Sequence, residues 1–109
     1  MDLLFGDVAL AELCSSQHRL SVRYGVAAAR SIGARLHEVE AASSPSELAR
    51  LPHLAVREVA SSPATISLAL VDHHRLVLRA IDQAVRIGSN AWADATSVIA
   101  VRIVEESAP

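Results

Sequence analysis

Two short stretches of strict alternation constrain this chain more than any other feature. Ile66, Leu68 and Leu70 alternate with Thr65, Ser67, Ala69 and Val71. Leu76, Leu78 and Ala80 alternate with Arg75, Val77, Arg79 and Ile81. Successive side chains on a strand point to opposite faces, so each run has one strongly apolar side. Asp72-His73-His74 between them reads as a turn, and the whole as a β-hairpin. Arg75 and Arg79 stand four residues apart on the second strand and therefore project from one face. A working surface is expected there first.

The rest of the chain supplies the cover for such a hairpin. Leu3-Leu4-Phe5 is a short apolar run closed by Gly6-Asp7. Asp7 is a good N-cap for a helix over 8–15, with Leu10, Leu13 and Cys14 on one side. A polar bend over 15–19 follows. Val22, Val26, Ala29, Ile32, Leu36 and Val39 recur at steps of three and four and predict one long helix over 21–42. Gly25 and Gly33 inside it each cost about 1 kcal/mol against alanine and would allow a neighbour to pack closely. Ser44-Pro45-Ser46-Glu47 matches a capping box with proline at the first helical position, and opens a short helical turn over 47–51 that Pro52 ends. Leu54 to Val59 reads as a strand. Residues 82–94, with Gly88-Ser89-Asn90, read as a loop that Trp92 pins down. Val98 to Val104 is apolar on both sides, as expected of a central strand covered over much of its length. Glu105 to Pro109 reads as a short polar tail.

Helices precede a run of strands, which is the pattern of a single α+β domain over 1–109. The helices should cover one face of a mainly antiparallel, twisted sheet and leave the other partly open. About half the residues are hydrophobic, enough for a real core. No stretch of 18 or more uncharged apolar residues is present, so no membrane span is expected. The start, with Asp2 and Asp7, lacks the positive region of a secretory signal, and a cytoplasmic location is expected. The lone Cys14 has no partner for an internal disulfide and is expected to pack as a small hydrophobe.

All ten basic residues are arginine, and with twelve acids the net charge is −2. That balance argues against a protein that grips nucleic acid over its whole surface, because counterion release rewards an excess of positive charge. It leaves room for a local arginine patch. A genome rich in G and C would produce the same arginine bias. Arg57, Arg75, Arg79 and Arg102 have two readings: pairing with acids on neighbouring strands or in Glu105-Glu106, or lining a surface for RNA or a partner. His73 and His74 could supply acid–base chemistry beside Arg75, but adjacent residues on an extended chain face opposite ways, so at most one shares the face of Arg75, and two solvated turn histidines are the favoured reading. His18, His37 and His53 show no zinc-ligand spacing with Cys14 or with each other, so no metal and no cofactor are expected. Glu38 and Glu40 are two apart on a helix and do not face each other.

The order and wording of these segments resemble the RelE/ParE toxin superfamily, in particular its HigB-like, plasmid-maintenance killer branch. The resemblance covers nearly the whole chain. It is carried by LLFGDVALAELC, by RYGVAAARSIGARLHEVEAASSPSELARLP, by ISLALVDHHRLVL and by WADATSVIAVRIVEE. It implies a RelE-like fold, with two N-terminal helices on one face of a small sheet, and a toxin of a type II toxin–antitoxin module. Its partners would be a helix-turn-helix antitoxin and, for an active toxin, the ribosome and mRNA. The activity implied is metal-independent mRNA cleavage by attack of a 2′-hydroxyl on the adjacent phosphate. Such chemistry needs a base, charge stabilisation and a protonated leaving oxygen. By position, Arg75 matches the arginine that starts the fourth strand and would stabilise phosphate through its planar fork. Arg57 stands in the place of the histidine in the His-Glu-Leu word and could bind phosphate, although its high pKa makes it a poor base. Arg79, His73 and His74 would support substrate binding. The basic turn of the branch is replaced by Ser61-Ser62-Pro63-Ala64, and its Asp-Tyr-His ending falls on Glu105-Glu106-Ser107. These departures keep two further readings open: a non-catalytic member that binds only its antitoxin, and a ParE-like inhibitor of gyrase.

Overall fold

In the computed structural model, residues 1–71 and 73–106 are described. Asp72 of the expected turn and Ser107 to Pro109 of the expected tail lie outside them. Among the described residues the chain forms five strands: β1 (Asp2–Phe5), β2 (Arg57–Ala60), β3 (Thr65–Ala69), β4 (His74–Arg79) and β5 (Ser97–Glu105). Five helices accompany them: α1 (Val8–Cys14), α2 (Gln17–Tyr24), α3 (Val26–Ala41), α4 (Pro45–Ala49) and α5 (Asn90–Ala93), with a 3-10 turn over Pro52–Leu54. The fold is α+β. All five strands share one mixed sheet in the order β1-β5-β4-β3-β2. β1 runs parallel to β5, and the other neighbours are antiparallel.

The hairpin is the centre of this sheet. Ile66 pairs with Leu78 and Leu68 with Leu76, and all four are buried. They join Val98 and Ala100 of β5 in one core with Leu10, Leu20, Ile32, Leu36 and Val39 of the helices. The apolar side of each strand thus meets the helical layer. Asp7 caps α1, its Oδ1 accepting from the Leu10 N–H at 2.7 Å. Trp92, 7% exposed, anchors the segment after β4 through the short helix α5, which Ser89 caps. No helix among the described residues is long and apolar enough to cross a membrane.

Four local expectations need correction. The long helix over 21–42 is two helices, broken at Gly25, whose φ of 89° and ψ of 160° lie where only glycine is comfortable. Val22 and Val26 lie outside the buried stripe, being 75% and 60% exposed. The capping box at Ser44 does not form: Ser44 Oγ lies 2.9 Å from Ser46 Oγ, and the Glu47 carboxylate accepts from the Ser43 N–H at 3.0 Å and from its hydroxyl. The strand expected over 54–59 begins only at Arg57, because Pro52 opens a 3-10 turn that buries Leu54 and ends in a left-handed Ala55, φ 45°. Finally, β5 is not covered over much of its length: only Val98 and Ala100 are buried, and Arg102 and Glu105 are exposed.

Candidate functional site

The side of the sheet away from the helices carries the arginines. Register fixes this arrangement. Opposite the buried pairs of the hairpin, Thr65 pairs with Arg79, Ser67 with Val77, and Ala69 with Arg75. Arg57 of β2 pairs with Ser67, and Val77 pairs in turn with Arg102 of β5. Arg57, Ser67, Val77 and Arg102 therefore form one row across four strands, with Arg75 and Arg79 in the rows on either side. Arg75 and Arg79 are separated by four residues of strand, about 13 Å. They do not form one cluster.

Arg75 is the most deeply placed of these side chains, at 5% exposure. Its Nε donates to Ser67 Oγ at 2.8 Å. One terminal nitrogen donates to the Ser67 carbonyl at 3.0 Å and to the Ala55 carbonyl. The left-handed backbone at Ala55 is what ends the 3-10 turn at this point. Arg75 thus ties β4, β3 and the 3-10 turn together, in the fork geometry that only arginine offers. Burial lowers its pKa, the charge of Arg57 lowers it further, and Glu106 opposes both. The group stays protonated throughout the accessible pH range.

Arg57 and Arg75 come together at the C-terminal end of β5. The Glu106 N–H donates to the His73 carbonyl at 2.7 Å and fixes the end of the strand beside the start of β4. From there Glu106 Oε1 accepts from Arg57 Nη1 at 2.9 Å and lies 3.8 Å from Arg75 Nε. Arg57 remains mostly in solvent. The outcome is a half-exposed carboxylate held between one exposed guanidinium, Arg57, and one buried guanidinium, Arg75. The acid-pairing reading of the arginines holds at this point. The participation of Ser67 was not anticipated, although a lone polar residue between Ile66 and Leu68, on the arginine side, is its sequence signal.

The remaining candidates stand apart. Arg79 is half-buried and donates from Nη1 to the Ala80 carbonyl at 2.9 Å. His73 is exposed, with a left-handed φ of 65°. His74 lies on the opposite side of β4 from Arg75: its Nδ1 is 3.1 Å from the Val71 carbonyl, and its ring meets Tyr24 edge-on at 5.2 Å. Neither histidine shares the Arg75 cluster. Among the described residues no group of three or more His, Cys, Asp or Glu side chains is placed to hold a metal ion.

What the arrangement can do chemically is bind an anion. Phosphate oxygens could take the positions of the Glu106 carboxylate, with Arg57 free to move and Arg75 held by the protein. Fold and site together define an α+β protein with one helix-covered sheet face and a second face that carries the arginines, on which Arg57 and Arg102 are exposed while Ser67, Arg75 and Val77 are buried. Comparison with family models, with curated proteins and with solved structures finds no match for the chain.

Proposed function

We propose that this protein is the toxin component of a type II toxin–antitoxin module, of the RelE/ParE superfamily and its HigB-like branch. In this reading the arginine-bearing face meets RNA at its exposed Arg57, which contacts phosphate, with Arg75 completing the pocket from below and Arg79 supporting the strand beyond. One observation carries it. Arg57 and Arg75, chosen from sequence as phosphate ligands, lie on the same face and converge on one carboxylate oxygen. The partners are a helix-turn-helix antitoxin, the ribosome and mRNA.

A second reading rests on a different observation. Three hydrogen bonds of the Arg75 guanidinium go to the protein itself, and no histidine joins it. That arrangement favours a member that binds its antitoxin but does not cleave RNA.

Induced expression in a bacterial host, with growth followed and mRNA ends mapped, separates the readings. The informative variant is Arg57→Ala, because this exposed side chain can be removed without unfolding the protein. Growth arrest with new mRNA ends, both lost in the variant, establishes an interferase. Folded protein that gives neither arrest nor new ends sinks the enzyme reading and leaves the antitoxin-binding one. Arrest without new ends, accompanied by inhibited supercoiling, points instead to gyrase.

A further inference from the structure

The sheet has an uncovered edge in its middle. β1 accompanies β5 only from Ser97 to Ala100; the last bond between them runs from the Gly6 N–H to the Ala100 carbonyl at 2.8 Å. The chain then leaves through Asp7 into α1, while β5 continues to Glu105. Val101 to Glu105 therefore have β4 on one side and no strand on the other. In an antiparallel pair the residues alternate between those bonded to the neighbour and those turned away. The bond from Glu106 N–H to the His73 carbonyl sets that alternation. It turns the backbone groups of Ile103 and Glu105 outward, off the β4 side. None of the described hydrogen bonds from side chains or loops reaches them.

This edge does not face a flat surface. A cleft of about 420 Å³ lies along it, walled by Leu10 and Leu13 of α1, Arg19 and Arg23 of α2, and Val101 to Ile103. A second cleft of about 430 Å³ continues it past Tyr24 and His74 to Glu105. The two sides differ in chemistry. Ile103 pairs with Leu76 and faces the helical side with Leu10 and Leu13. Arg102 faces the open side, in the row that begins at Arg57. Of the charged groups around the clefts, Glu12 is paired with Arg19 at 3.0 Å and Asp7 is committed to its cap. Arg102 and Arg23 have no acidic partner among the described residues, Arg23 lying over the Tyr24 ring. Glu105 stands exposed at the far end.

We propose that the Val101–Glu105 edge of β5 is a strand-addition site for an extended segment of a partner protein in which apolar and acidic residues alternate. Outward backbone groups supply the hydrogen bonds, and alternate side chains enter different environments. The apolar residues would sit over Leu10, Leu13 and Ile103, and the acidic ones beside Arg102. The inference stands independently of the toxin reading. Uncovered edges are usually blunted by charges or bulges, and β5 has a bulge at Val101; a protected edge is therefore the outcome that opposes the proposal.

The test is a titration of isotope-labelled protein with a short capped peptide of alternating valine and glutamate, followed through backbone amide signals and hydrogen exchange. A second peptide alternates valine and lysine. The proposal expects saturable shifts confined to residues 101–105 and their surroundings, slowed exchange at Ile103 and Glu105, and no such response to the lysine peptide. Arg102→Glu, at an exposed position, should weaken the acidic peptide about tenfold through charge repulsion. Three results would overturn the idea: no shift at 101–105 up to millimolar acidic peptide, an equal response to the lysine peptide, or amides already protected in the free protein by a concentration-dependent dimer.

Discussion

Replacing Arg75 by alanine should cost this protein about 3–5 kcal/mol of folding stability, the usual penalty for breaking a buried, hydrogen-bonded charge network. The side chain gives up bonds to Ser67 Oγ, the Ser67 carbonyl and the Ala55 carbonyl. Bonds from a charged donor contribute about 1.5–3 kcal/mol each. The sum is reduced because Arg57 no longer repels its neighbour and the Ser67 hydroxyl can rotate to water. Domains of this size have about 5–15 kcal/mol in total, so the variant should melt at least about 12 °C lower. Urea denaturation followed by circular dichroism, with both slopes compared, measures the loss directly. Arg57→Ala is the control: its side chain is 61% exposed, and its removal should change stability by less than about 0.5 kcal/mol. An Arg75→Ala variant within about 1 kcal/mol of the parent would refute the view that Arg75 ties β4, β3 and the 3-10 turn together. The contrast matters for any activity assay, since loss of function in Arg75→Ala reports folding as readily as chemistry.

Three further outcomes are expected. Burial pushes the Cys14 thiol up to about 11, so disulfide-exchange reagents near neutral pH should label the native protein far more slowly than the urea-unfolded chain. The hydrogen bond from His53 is the largest of several contacts holding the Glu38 carboxyl below its ordinary 4.5. A depressed carboxylate stabilises the fold above its unfolded pKa, and that contribution disappears as pH falls through the lower folded value. Glu38→Gln should accordingly flatten the acid limb of the stability profile below about pH 4.5 and leave the shape near neutrality unchanged. Gly25→Ala should destabilise the protein by about 1–3 kcal/mol, read by thermal melting, although the added methyl meets nothing within 4 Å. The cost is in the backbone angle.

Much of the fold was legible in residue spacing. The hairpin, the capped α1 and the anchoring role of Trp92 follow from alternation, a well-placed Asp7 and a single large aromatic. The break at Gly25 was not legible, because Val22 and Val26 continue the step-of-four pattern while facing solvent. Periodicity registers hydrophobic residues and is blind to whether a partner surface exists for them. Gly33 behaves as its spacing suggested: a methyl there would lie 3.2 Å from Gln17 Oε1 of α2. In the site, the shared face of Arg75 and Arg79 follows from their spacing, whereas Arg57 joins it only through the pairing of β2 with β3, which spacing does not give. The destination of the Arg75 guanidinium follows from neither, since it depends on the Ala55 carbonyl, which a left-handed residue positions without a glycine to mark it.

The parallel pairing of β1 with β5 joins residues 2–5 to residues 97–100. That contact spans most of the chain, and such long closures slow folding because chain entropy is lost before the contact is gained. While the chain is being made, β1 has no partner until the last strand emerges, and the flank of β4 that β5 will occupy stays bare beside Leu76 and Leu78. Two open hydrogen-bonding edges over an unfinished core are what holdase chaperones and other copies of the chain engage. β1 can therefore join this sheet only once β5 is in place beside β4.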